Sequence, residues 1–133
     1  MSIVIEQGHT LSFEEFWHWV VEHPNCVIRA GTEEAFLYDT DEFHWFFTEE
    51  PDHTPLVQLL RGKQLVGEVL IEAADVLFVQ AIPDRESGVE GRYVFELMGG
   101  SHDEPVPLYH FLMNHGLEEK EATHLGGVGG LKH

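Results

Sequence analysis

The first segment with a clear apolar rhythm is "LSFEEFWHWVVEHP". Ser12 and Glu15 form a capping-box pair, and Phe13, Phe16, Trp17 and Val20 follow at i, i+3, i+4, i+7 spacing. The spacing predicts an amphipathic helix over roughly 12 to 23, closed where His23 precedes Pro24 and helical geometry becomes unfavourable. "NCVIRA" then reads as a strand and "GTEE" as a turn. "AFLYD" and "EFHWFFTE" read as two more strands joined at "DTD", giving three successive antiparallel strands. In an extended "EFHWFFTE", Phe43, Trp45 and Phe47 face the core. His44 and Phe46 take the other face, where a half-buried, hydrogen-bonded imidazole is expected.

Beyond the loop "EPDHTP" the pattern supports two readings. Thr54 and Pro55 can open a short helix through "PLVQLLRGKQL", or "LVQLL", "RGK" and "QLVGEVLIE" can form a hairpin, because short apolar runs do not discriminate by period. "LVGEVLIE", "DVLFVQAI" and "RYVFELM" read as strands, the last two joined by the exposed loop "PDRESGVEG". Asp103 and Glu104 precede Leu108, Phe111 and Leu112, and Gly116 is placed to end a helix, so a closing helix is predicted over 106–115. The resulting fold class is α+β: an antiparallel sheet of about five to six strands packed on one face by an N-terminal and a C-terminal helix. Residues 1–117 make a single domain. Residues 118–133, polar and then Gly-rich, have few side chains to pack and are expected to fray.

Composition agrees with a folded domain. At 133 residues the chain can bury roughly two thirds of its unfolded surface around one core. A hydrophobic content of 43%, with nine Phe, three Trp and three Tyr, offsets chain entropy despite the charge. The start "MSIVIEQGH" has no basic region followed by an apolar run, and no stretch of about 18 apolar residues occurs, so a soluble, unexported, cytoplasmic protein is expected. Cys26 is the only cysteine, which excludes an internal disulfide and a Cys-rich zinc site. Its default role is a buried thiol, since a catalytic one needs a positioned base that sequence does not locate.

Charge changes the picture most. With 24 Asp plus Glu against 7 Lys plus Arg, the net charge of -17 repels nucleic-acid phosphates and anionic lipid, and attracts basic proteins. Glu33, Glu34, Asp39, Asp41, Glu42, Glu49, Glu50 and Asp52 lie between Arg29 and Arg61 with no basic residue among them. Together with Trp45 and Phe46 as aromatic anchors they form the candidate partner-binding set, facing a basic protein or peptide. Asp39, Asp41 and Glu42 sit at one end of the predicted strand and Glu49, Glu50 and Asp52 at the other. A separation of about 20 Å keeps the two groups from sharing one ion. Surplus aromatics outside the core stripes, such as Trp19 and Phe46, would favour binding, a homodimer included, over mere solubility.

Ten histidines invite a metal or catalytic reading. There is no H-E-x-x-H, no H-x-H and no i, i+4 pair; His18 with His23 and His110 with His115 are five apart and diverge on a helix. No G-x-S-x-G, phosphate loop or dinucleotide fingerprint appears. No catalytic residue, metal ligand or cofactor is therefore assigned. The expected function is a small acidic intracellular protein that engages a basic partner, of the immunity, antirepressor or chaperone type. The alternatives are a small His- or metal-dependent enzyme, and an acidic subunit of a larger assembly. The expected element order, together with the low isoelectric point, resembles that of small acidic type III secretion chaperones.

Overall fold

The computed structural model describes residues 9–117, and among them nine strands form two antiparallel sheets. β1 (His9–Leu11) leads into helix α1 (Phe13–Val20), whose start is the capping box read from the sequence. The Glu15 N–H donates to Ser12 Oγ at 3.1 Å and the Ser12 N–H to Glu15 Oε1 at 2.9 Å. After a 3₁₀ turn at Pro24–Cys26 come β2 (Val27–Gly31), β3 (Phe36–Tyr38), β4 (His44–Glu49), β5 (Pro55–Arg61) and β6 (Gln64–Leu70). β7 (Phe78–Pro83), β8 (Tyr93–Gly100) and β9 (Pro105–Met113) complete the set. The six-stranded sheet runs β1-β7-β8-β9-β2-β3 and the three-stranded sheet β4-β5-β6.

Two expectations are corrected, and one open alternative is decided. First, the closing helix over 106–115 is strand β9, paired with β8 on one side and β2 on the other. Its apolar spacing looked helical because the strand is buried on both faces. Tyr109, Phe111 and Met113 join the core, while His110 and Leu112 are buried on the opposite face, so no two-residue alternation survives. Pro107 is tolerated next to an irregularity in pairing, where Leu108 is the extra residue between the Leu97–Tyr109 and Met98–Pro107 pairs. Leu108 packs on the core over Gly99, where a Cβ would collide with its side chain.

Second, segment 55–65 is the hairpin and not the short helix. β5 and β6 meet at Arg61 and Gln64 across Gly62 and Lys63, and Gly62 takes a φ of 62°. A positive φ at the first of two loop positions is what a type II′ hairpin turn requires. Third, the strands do not form one sheet under two helices. β3 pairs with β2, but the "DTD" connection carries the chain across to a second sheet, so β4 never pairs with β3. The molecule is mostly β with a single α-helix among the described residues, and the element order that resembled secretion chaperones is absent.

Both sheets and α1 share one core. Phe16 is completely buried, its ring 5.2 Å from Phe95 and 5.1 Å from Phe111, and burying a side chain of this size is worth about 1.5–3 kcal/mol. Val57, Leu59 and Trp45 close the core from the three-stranded sheet, and the Trp45 indole N–H donates to the Val27 carbonyl at 3.0 Å, tying β4 to the start of β2. Trp19, expected as a surplus aromatic, is buried instead against Phe95 at 5.0 Å. No helix among the described residues is long and apolar enough to cross a membrane. The tail at 118–133 lies outside the described residues.

Candidate functional site

The eight acids of the candidate set are all exposed, and the backbone divides them among three connections. Glu33 and Glu34 occupy the β2–β3 turn, where the Thr32 hydroxyl accepts from the N–H groups of Glu34 at 3.3 Å and Ala35 at 3.1 Å. Asp39, Asp41 and Glu42 occupy the β3–β4 connection, held by the Phe43 N–H on the Thr40 carbonyl at 3.0 Å. Partial burial, and then the nearby Asp41 charge, raise the Asp39 carboxyl above its ordinary value. Glu49 ends β4, and Glu50 and Asp52 form the β4–β5 turn with His53, whose φ of 72° is left-handed. Hydrogen bonds from Thr54, including its backbone N–H at 3.1 Å, hold the Asp52 carboxyl below its usual value. Like-charge crowding is therefore not a uniform effect along the segment.

The aromatic anchors separate by one residue. Trp45 is 5% exposed and belongs to the core, so it presents nothing to a partner, whereas Phe46 is 50% exposed on the outer side of β4. Strand alternation places Phe46 beside Gln58 and Glu68, between the rows His44–Leu60–Leu65 and Thr48–Leu56–Leu70. Leu65 and Leu70 are also exposed, so this outer face is largely apolar. The Gln58 side-chain amide donates to Glu68 Oε1 at 3.1 Å in its middle. His44 is exposed here, not half-buried as expected, although Leu56 in another outward row of the same face is buried. Arg61 and Lys63 turn the hairpin near the Asp41–Glu42 end, while at the Glu49–Asp52 end the His53 ring lies 3.1 Å from Glu49 Oε1 and no Lys or Arg is close in sequence.

The outer face of the six-stranded sheet is built differently. The Gln80 amide donates to Glu96 Oε1 at 2.8 Å, and the Arg29 Nε–H donates to His110 Nε2 at 2.9 Å. The Arg29 guanidinium also lies 5.1 Å from the centre of the Phe36 ring and reaches the Tyr38 hydroxyl at 3.4 Å. His110 is 6% exposed, and its burial, followed by the Arg29 charge, lowers its pKa against a smaller opposing effect of Glu96. It serves as a neutral acceptor for Arg29.

Sequence reasoning did not find this row: alternation in "YVFEL" puts Glu96 outward, but in "VIRAG" an irregular pairing between Val27 and Arg29 lets Val27 and Ala30 both join the core, which alternation does not show. The histidine pairs diverge as expected for five-residue spacing, but through different elements. His18 is exposed on α1, His23 stacks on Trp19, His110 lies on the outer sheet face, and His115 turns toward Cys26. No group of three His, Cys, Asp or Glu among the described residues is arranged to hold a metal ion. Comparison of the chain with protein-family models, with curated proteins and with solved structures finds no match.

Proposed function

We propose that this protein is a small acidic binding protein that docks a basic protein or basic peptide segment on the outer face of its three-stranded sheet. The observation that carries the proposal is Phe46, half exposed on β4 in a sheet face that also exposes Leu65 and Leu70 on β6, on a strand whose far end bears Glu49, Glu50 and Asp52 with His53 as their one basic neighbour and no Lys or Arg before Arg61. Exposed apolar side chains gathered on one sheet face, here around the Gln58–Glu68 pair, mark a surface that benefits from cover, and acids at one end complement a basic partner. The complementary partner is amphipathic: apolar side chains over Phe46 and the leucines, and Lys or Arg toward the acidic end. Immunity, antirepressor and chaperone roles all use such a surface.

Charge and apolar contact then have separable roles, the acids governing encounter rate and salt dependence and Phe46 governing lifetime. The test compares three proteins as bait in cell extract at low salt: the wild type, a variant with Asp39, Asp41, Glu42, Glu49, Glu50 and Asp52 changed to Asn or Gln, and Phe46→Ser. Wild type should retain basic proteins that the charge variant loses at once. Phe46→Ser should capture the same proteins at similar rates and release them faster. An identical capture profile for all three would leave the acids as a solvated rim and refute the proposal.

A further inference from the structure

A second chemistry lies where the 3₁₀ turn at Pro24–Cys26 meets the end of β9. Cys26 Sγ stands 3.1 Å from His115 Nε2, although 89 positions separate them in the chain. The opposite ring nitrogen, Nδ1, is 2.8 Å from the Gly116 carbonyl oxygen, which only accepts hydrogen bonds. Nδ1 therefore carries a proton, and in the neutral ring Nε2 presents its lone pair to the thiol. The same contacts serve an imidazolium facing a thiolate, since both nitrogens then donate, one to the carbonyl and one to sulfur.

The pair is held from both sides. The Cys26 N–H donates to the His23 carbonyl at 3.0 Å, and the Cys26 carbonyl accepts from the Asn114 N–H at 2.9 Å, next to the Val27–Met113 pairing of β2 with β9. Trp19 and His23 wall the site: the His115 ring lies edge-on to Trp19 at 5.7 Å and 5.4 Å from His23, and His23 stacks on Trp19 at 4.6 Å. Among the described residues the buried Trp19 indole N–H has no hydrogen-bond partner. Cys26 and His115 are each only partly buried.

We propose that Cys26 is a reactive thiol activated by His115, and that it is a site of oxidation by small neutral peroxides. The thiol proton passes to His115 Nε2, and the thiolate attacks one peroxide oxygen. The S–O bond forms as the O–O bond breaks, the electron pair leaves on the second oxygen, and that oxygen takes the proton from His115. Sulfur is oxidised by two electrons to a sulfenic acid, the peroxide is reduced by two to water or an alcohol, and His115 returns to neutral. With Cys26 as the sole cysteine, a thiol from another molecule must resolve the sulfenic acid, forming a mixed disulfide and releasing water. The net charge of -17 disfavours anionic reagents and leaves uncharged peroxide as the fitting oxidant. Among the described residues His23 is a titratable group whose ring faces His115, at 5.4 Å between ring centres.

The test is the pH profile of Cys26 alkylation by neutral iodoacetamide, for the folded protein and for the urea-unfolded chain. Folded wild type should react at pH 6.5 at least about tenfold faster than the unfolded chain, whose thiol ionises near the ordinary value of about 8.5. His115→Gln, shown to be folded by circular dichroism, should lose that advantage. It should also lose the dimedone adduct that wild type forms at Cys26 with equimolar hydrogen peroxide. A folded wild-type profile with one ionisation near the ordinary thiol value would make the contact a neutral S–H···N hydrogen bond and overturn the proposal. That measurement decides even if His115→Gln fails to fold.

Discussion

Across β7, β8 and β9 the outward side chains in one row read Gln80, Glu96 and His110, and Arg29 and Tyr38 continue the polar surface on β2 and β3 through hydrogen bonds that link neighbouring strands. Across β4, β5 and β6 the outward rows read His44–Leu60–Leu65, Phe46–Gln58–Glu68 and Thr48–Leu56–Leu70, where one amide–carboxylate bond crosses a mostly apolar surface. The inner sides of the two sheets do the same work, since both feed the core around Phe16. What differs is the outer side. Both faces expose apolar side chains, Phe36, Tyr38 and Ile82 on the six-stranded sheet and Phe46, Leu65 and Leu70 on the three-stranded one, but the six-stranded face is tied by several polar contacts between strands and the three-stranded face by one.

The contrast is sharpest across one peptide bond. Trp45→Ala should cost about 3–5 kcal/mol, from lost burial and the cavity left behind, with a further loss as the Val27 carbonyl forfeits its donor. Phe46→Ala should stay within about 1 kcal/mol of wild type. Urea midpoints of the two variants measure the difference, and similar losses would mean that the outer face is covered.

Glycines in the two sheets make the next comparison. A Cβ at Gly31 would collide with the backbone of Ala35 and Phe36, which cannot step aside, so Gly31→Ala should cost about 1–3 kcal/mol. At Gly67 the nearest obstacle is Leu37 Cδ2 at 2.6 Å, the end of a side chain that can rotate, so Gly67→Ala should cost less than about 1 kcal/mol by thermal melting.

The polar row predicts a pH effect that the apolar face lacks. His110 has its pKa lowered in the fold, so the unfolded chain binds the proton more readily. Its contribution to stability is present above the unfolded value of about 6.5 and is lost as pH falls below it toward the folded value. His110→Gln should flatten that part of the stability curve. Arg29→Met removes the second cause of the shift and should raise the His110 titration followed by NMR.

The smallest effects belong to the acidic connections. Asp39 has a raised pKa, so its charged form is disfavoured at neutral pH and the penalty is relieved as pH falls through the folded value. Asp39→Asn should therefore stabilise slightly at pH 7, with the gain vanishing in acid. Replacing all six acids from Asp39 to Asp52 with Asn or Gln should keep the fold, each change contributing under about 1 kcal/mol, as far-UV circular dichroism and melting can show.

Local pattern by itself determined part of this protein: the capping box of α1, the strands β2 to β4 and β6 to β8, and the inward facing of Phe43, Trp45 and Phe47 along and just before β4, while β5 stayed open between helix and hairpin. Such features are written within a few residues, because a cap or an alternation reports the polarity of the face it belongs to. The same pattern failed at β9, where two buried faces erase the alternation, and at "DTD", where a hairpin and a crossover between sheets look alike. It also placed Trp19 outside, because a helix stripe does not say that Phe95 will cover it. The pairings of Arg29 with His110 and of Cys26 with His115 carry no local signal at all. They exist because β2 lies beside β9, and only the packing of the whole chain decides which strands become neighbours.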